Sequence, residues 1–280
     1  MLGSALHYAL HYPKRLAGAL VTDPVGLLEK LQDRIVQNWE YRAPVHRHEL
    51  SANWEERLHG WLGCKWPCAE QDAFHALWQR AVESVRSAGI DVGPASFAGF
   101  NDGDMGLLRA IWWIVSHLKP TRVVETGVAH GFTSRFILEA LQRNGSGRLS
   151  SIDRPPLDPA TRQRVGIAVP GELRQRWDLI AGSSQRRLPG LLDRLGTIDL
   201  FVHDSLHTER NVCFELAHAW AALRPGGFLV VDDIDSNAGF ASFIGKISGF
   251  QALVCEAQPV RPDERRFNGK GLFGLVLKEP

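Results

Sequence analysis

From about residue 105 onward the chain alternates short apolar runs with amphipathic helical ones, and this alternation restricts the fold more than any other feature. Arg122–Thr126, Arg148–Asp153, Trp177–Ala181, Ile198–His203 and Phe228–Asp232 have the length and bounding turn residues of buried strands. Helical patterns fill the intervals near 105–117, 132–143, 185–195 and 208–223, and a long connection (154–176) precedes the third strand. Strands separated by helices pair in parallel, so the expected fold is α/β, a Rossmann-like doubly wound sheet. Two further runs, near Ala252–Glu256 and at Leu272–Lys278, have only a loop with Asn268-Gly269 between them. They predict an antiparallel pair at one edge, for seven strands in all.

The first hundred residues carry helical punctuation and no convincing strand. Leu2, Leu6, Leu10, Leu16 and Leu20 fall at helical spacing on either side of Pro13. Asp23-Pro24 opens a second helix, with Val25, Leu28, Leu31, Ile35 and Trp39 on one face. A third runs from Gln71 to Ser87 with Phe74, Leu77, Trp78, Ala81 and Val85 apolar, and Gly89–Gly106 has the composition of a hinge. The expected organisation is a helical extension over 1–100 and an α/β domain over 101–280. Trp39, Trp54, Trp61, Trp66 and Trp78 read as core and domain packing; an aromatic platform or lid for an acceptor is the sharper alternative. The same aromatic layer is compatible with a homo-oligomer.

Charge excludes some functions. The 32 Lys and Arg side chains are balanced by 31 Asp and Glu, and residues 1–100 alone carry 10 against 11. No field for a nucleic-acid backbone results, so a small-molecule partner is expected. No segment approaches the ~18–20 apolar residues of a membrane span. Four cysteines do not make a disulfide framework in a chain of 280 residues, and a cytoplasmic protein is expected. Cys64 and Cys68, flanked by His59 and His75, lack the spacing and the second cysteine pair of a zinc finger, so no metal is expected there.

In a doubly wound sheet the ligand lies beyond the carboxyl ends of the strands. The first strand ends in Glu125-Thr126-Gly127-Val128-Ala129-His130-Gly131, a G-x-x-x-G turn with an acid before the first glycine. A carboxylate there repels a pyrophosphate but accepts a hydrogen bond from an ammonium group, which favours S-adenosylmethionine (SAM) over NAD. Asp153, ending the second strand, can take both ribose hydroxyls, and Gly182-Ser183-Ser184 suits an adenine edge. Glu125, Gly127, Gly131, Asp153 and Ser183 are therefore the candidate cofactor residues.

These segments, VVETGVAHGFTS, SSID, IDLFVHDSLHTE and LRPGGFLVVDDID, resemble the successive motifs of class I SAM-dependent methyltransferases. The resemblance is to the Methyltransf_24 branch, which includes bacterial macrolide-sugar O-methyltransferases, and it covers about residues 105–280.

The fourth and fifth strands end in Asp204 and in Asp232-Asp233. Three converging carboxylates repel one another unless a hard divalent cation, Mg²⁺ or Mn²⁺, lies between them. The resemblance implies the same, since Asp204, Asp232 and Asp233 match the metal-binding positions of similar sugar O-methyltransferases, with Asp where related enzymes often have Glu. The bland alternative makes Asp204 and Asp233 helix caps. The resemblance also implies a catalytic base at His207, in the D-x-x-H that begins at Asp204; capping the next helix is its alternative. His203 is expected to line the site, and His130 to pack against the cofactor. Together these imply SAM- and Mg²⁺-dependent O-methylation of a hydroxyl on a sugar or glycosylated natural product. A metal-independent methyltransferase and a SAM-binding scaffold without methyl transfer stay open.

Overall fold

The computed structural model describes residues 24–40, 48–93, 96–97, 103–260 and 271–280. The helical pattern of Leu2–Leu20 and the Asn268-Gly269 turn lie outside them. In chain order the elements are α1 (Pro24–Glu40), α2 (Trp54–Trp61), α3 (Gln71–Ser87), α4 (Met105–Leu118), β1 (Arg122–Thr126), α5 (Phe132–Asn144), β2 (Arg148–Asp153) and the single turn α6 (Pro159–Arg162). After them come β3 (Trp177–Ala181), α7 (Ser184–Leu195), β4 (Ile198–His203), α8 (Glu209–Ala222), β5 (Leu223–Val231), α9 (Gly239–Ile244), β6 (Phe250–Glu256) and β7 (Leu272–Lys278).

The seven strands form one sheet in the order β3-β2-β1-β4-β5-β7-β6. Pairing is parallel as far as β5, and β7 runs antiparallel between β5 and β6. The sheet is thus the Rossmann-like one that the alternation predicts. The order reverses between β1 and β4, which opens a crevice beyond their carboxyl ends.

Alternation along each strand sends neighbouring side chains to opposite faces. Val123, Leu149, Leu200 and Val230 join one core with α4 and α5, while Val124, Ile152, Phe201 and Leu229 join another with α7 and α8. Leu58 of α2 and Phe74, Leu77, Ala81 and Val85 of α3 pack into the first of these cores. Each of these leucine, phenylalanine and valine side chains, fully removed from water, contributes roughly 1.5–3 kcal/mol. Trp54, Trp61, Trp66 and Trp78 pack partly buried against the same core.

Three local expectations need correction. The strand expected from Phe228 begins at Leu223, because Arg224-Pro225-Gly226-Gly227 is taken into β5 beside an irregularity between Ile198 and Leu200. The short α2 has no counterpart among the expected helices. Finally, the apolar stripe of α1 faces outward: Val25, Ile35 and Trp39 are 55%, 61% and 67% exposed. The polar side of α1 is what reaches the domain. Glu29 pairs with Arg186 (3.1 Å) and Asp33 with Arg154 (2.5 Å), Lys30 Nζ donates to Pro155 O, and Glu40 accepts the Glu209 N–H. Two ion pairs and two hydrogen bonds, made to the loop after β2 and to the first turns of α7 and α8, thus set how α1 lies.

Candidate active site

Beyond the last residue of each central strand the ladder continues by one backbone bond. Gly127 N–H donates to Ile152 O, Asp204 N–H to Thr126 O, Asp232 N–H to His203 O and Gly182 N–H to Asp153 O, each at 2.9 Å. The first residues of the four loops are therefore held as rigidly as the strands. Gly127 and Gly131 have φ of 85° and 88°, and Ala129 between them has 48°. A Cβ on Gly127 would lie 1.7 Å from Asp204 O. The glycine thus lets the β1 loop pack directly on the β4 loop, a contact within the chain rather than only with a ligand.

Glu125 is fully buried beneath this turn. Its Oε2 accepts from Ser134 Oγ (2.6 Å) and Ser151 Oγ (2.5 Å), while its Oε1 has no hydrogen-bond partner. Burial pushes its pKa up to about 7, against the pull of the two hydroxyls. Asp153 Oδ1 accepts from Val128 N–H (3.2 Å), its Oδ2 is buried without a partner, and burial raises its pKa as well. Two buried acceptor oxygens thus await a donor near the strand ends, which fits a cofactor carrying ribose hydroxyls and an ammonium group. Ser183, mostly buried, precedes α7, and its Oγ accepts from Arg186 Nε at 3.2 Å. A cavity of about 380 Å³ between α1 and the ends of β2 and β3 is bordered by Leu27, Lys30, Pro155 and Gly182. His130 is buried, with its ring edge-on to Phe97.

The structure brings Asp204, His207 and Asp232 together, each with a ligand atom within 4.8 Å of those of the other two. His207 Nε2 lies 3.7 Å from Asp204 Oδ1 and 3.9 Å from Asp233 Oδ2. Asp233 therefore faces His207 instead of joining the closest group, from a left-handed backbone at φ 49°. Helix capping falls to other residues. Thr208 Oγ1 accepts from Asn211 N–H to start α8, and α9, with Ala238 at its cap position, starts without a side-chain cap. His48 bonds Ile234 O in the loop after Asp233 (3.1 Å).

Sequence reasoning missed Glu215. This carboxylate of α8 is fully buried and takes four donors: Thr126 Oγ1 and His203 Nδ1 on Oε2, Ser205 Oγ and Asn211 Nδ2 on Oε1, all within 2.8 Å. Burial opposes its ionisation, yet the adjoining His203 and the hydroxyl donors bring its pKa down to about 2. His203 stands edge-on to His207, with centroids 5.4 Å apart. Glu215 thus sets the His203 ring, and that ring forms a wall behind His207. The signal was present: Val212, Leu216 and Ala219 share one helical face, and Glu215 interrupts it with a charge.

Residues 124–234 match a protein family described as a methyltransferase domain. No curated protein matches the sequence. Among solved structures, similar ones include a provisionally assigned O-methyltransferase from Klebsiella pneumoniae and TomG from Streptomyces achromogenes, an O-methyltransferase involved in tomaymycin synthesis and solved with SAM. Each is 18% identical, with a TM-score of 0.50, and each match covers 73% of this chain and 90% of the other. At such identity the likeness concerns the fold. The chain thus has a Rossmann-like sheet shared with these structures, and its residues 124–234 match a methyltransferase domain.

Proposed function

We propose that the protein is an O-methyltransferase that uses SAM and Mg²⁺ or Mn²⁺ to methylate a hydroxyl of a sugar or glycosylated natural product. The observation that carries the reaction type is the gathering of Asp204, His207 and Asp232 at the ends of β4 and β5, beside the Gly127 turn. The acceptor class rests on the D-x-x-H resemblance. SAM, when bound, supplies an electrophilic methyl, and a divalent cation acidifies a hydroxyl beside it.

In this reading Asp153 Oδ2 takes the ribose hydroxyls, the Gly127–Gly131 turn shapes the floor, and Ser183 lines the adenine side. Glu125 supports the turn from below and offers Oε1. Asp204, Asp232 and Asp233 hold the cation. His207 would take the proton of the acceptor hydroxyl at Nε2, leaving that oxygen to receive the methyl that SAM would supply, with S-adenosylhomocysteine as the leaving group. Orientation of the acceptor contributes much of the rate.

The test is calorimetric titration of S-adenosylhomocysteine and then Mg²⁺ into the protein and into Asp232→Asn. Cofactor binding followed by a Mg²⁺ signal that the variant loses supports the reading. Absence of cofactor binding overturns it, and activity that survives EDTA moves it to metal-independent transfer. A second reading has its own observation, for it is His207 and not Asp233 that completes the closest group. There His207 is a cation ligand, and His207→Ala abolishes the Mg²⁺ signal rather than turnover alone.

A further inference from the structure

The structure gathers a second group of potential ligands well away from the strand ends. His59 lies in α2, Cys68 in the connection between α2 and α3, and His117 in the last turn of α4. One ligand atom of each lies within 4.8 Å of those of the other two. We propose that His59, Cys68 and His117 bind a zinc ion through Nε2, Sγ and Nε2, tying α2 and its following loop to α4.

His59 carries most of this inference. Its ring is fully buried, and its Nδ1 lies 2.7 Å from Glu55 O. Since a carbonyl only accepts, Nδ1 holds the proton and Nε2 holds a lone pair. That Nε2 is buried and has no hydrogen-bond partner. An orphaned polar atom of this kind is costly to keep buried, and a metal bond would remove the cost. A carbonyl on the far nitrogen is also the arrangement that orients imidazoles bound to metals. Trp66 and Trp113 wall the ring, at 4.9 and 4.7 Å between centroids, so it has little room to turn away.

Cys68 and His117 supply the matching donors. Sγ and Nε2 are 3.4 Å apart. Tetrahedral zinc, with bonds of about 2.3 Å to sulfur and 2.0–2.1 Å to nitrogen, sets that edge at about 3.6 Å. A simple thiol–imidazole hydrogen bond would account for this pair but leaves His59 Nε2 unexplained. Two imidazoles and a thiolate suit zinc and exclude Mg²⁺.

The ligand set differs from the one the cysteine spacing suggests. Cys64 turns its thiol toward Leu62 O (3.4 Å), and His75 packs on Phe74. His117, distant in sequence, takes the third place, and water takes the fourth. The ion replaces no part of the reaction at Asp204 and Asp232, so the inference stands apart from the proposed function.

The test uses the full chain carrying Asp204→Asn, His207→Gln and Asp232→Asn together, which dismantles the competing group, and measures zinc by plasma mass spectrometry after dialysis against trace zinc. This triple variant is the parent for the variants below. One equivalent per chain is expected, with a thiolate-to-metal charge-transfer band and a tetrahedral d–d spectrum after exchange for Co²⁺. Adding Cys68→Ser or His59→Gln should remove both the equivalent and the bands, whereas His75→Gln should retain them. Should those two variants fail to fold, His117→Gln reads the same loss from a partly exposed position. Absence of zinc from the triple variant, or a full equivalent in folded Cys68→Ser or His117→Gln, overturns the proposal.

Discussion

Thr126 and His203, at the ends of two adjacent strands, bond to one and the same oxygen of Glu215, at 2.5 and 2.7 Å. The side chain of β1 that follows Glu125 and the one of β4 that precedes Asp204 are thereby fixed to a single carboxylate on α8. Since the folded-state pKa of Glu215 is about 2, against an ordinary 4.5, the unfolded chain takes up this proton first as pH falls. Stability from Glu215 is complete above about pH 4.5 and is lost as pH falls toward 2, by on the order of 3 kcal/mol. Glu215→Gln should flatten this acid limb and lower the neutral-pH stability by a few kcal/mol, read from urea midpoints between pH 3 and 7 (about the accessible range).

Glu125 has the opposite sign. Its folded pKa of about 7 exceeds its ordinary value, so between about pH 4.5 and 7 the folded protein holds a proton that the unfolded chain has released. Stability should decline over that interval and level off above it. Glu125→Gln, neutral throughout, should abolish the decline and make the cofactor-free protein more stable than the parent at pH 8 (roughly one unit above the folded pKa). Thermal melting across this range checks the slope.

Loss of the His207 imidazole should depress turnover far more than cofactor affinity. For His207→Ala we expect kcat to fall about 10²–10⁴-fold, with the Kd for S-adenosylhomocysteine nearly unchanged. Parallel Mg²⁺ titration separates a base from a ligand: a retained signal supports proton transfer, and a lost one supports coordination. Parent-like turnover removes both roles.

Gly127 and Gly145 share a left-handed backbone, with φ of 85° and 73°. A Cβ on Gly145 meets nothing within 4 Å, whereas on Gly127 it meets the carbonyl of Asp204. Gly145→Ala should therefore cost about 1 kcal/mol from its φ alone. Gly127→Ala adds backbone overlap and should cost about 3 kcal/mol or more, while also weakening cofactor binding. Denaturation midpoints of the pair measure the difference.

The strand ends were legible because each is a local signal: an apolar run, then a glycine or an acid. β1, β2, β3, β4 and β7 coincide with the runs Arg122–Thr126, Arg148–Asp153, Trp177–Ala181, Ile198–His203 and Leu272–Lys278. Features settled by distant partners were not. The orientation of α1 depends on Arg154 and Arg186, more than a hundred residues away, and periodicity gives its apolar stripe but not the direction the stripe faces. His117 joins His59 and Cys68 only because α4 packs beside α2, which no spacing encodes. Glu215 required reading a charge on an apolar helical face as purposeful.

The way α1 is attached has a further consequence for how firmly it is held. Its contacts with the strand ends are ionic and water-accessible, and each such pair contributes only about 0–1 kcal/mol. Its apolar stripe faces solvent, and Leu27 is the apolar side chain of the helix that is buried. A helix held this way should be bound to Arg154 and Arg186 less firmly as added salt screens the pairs.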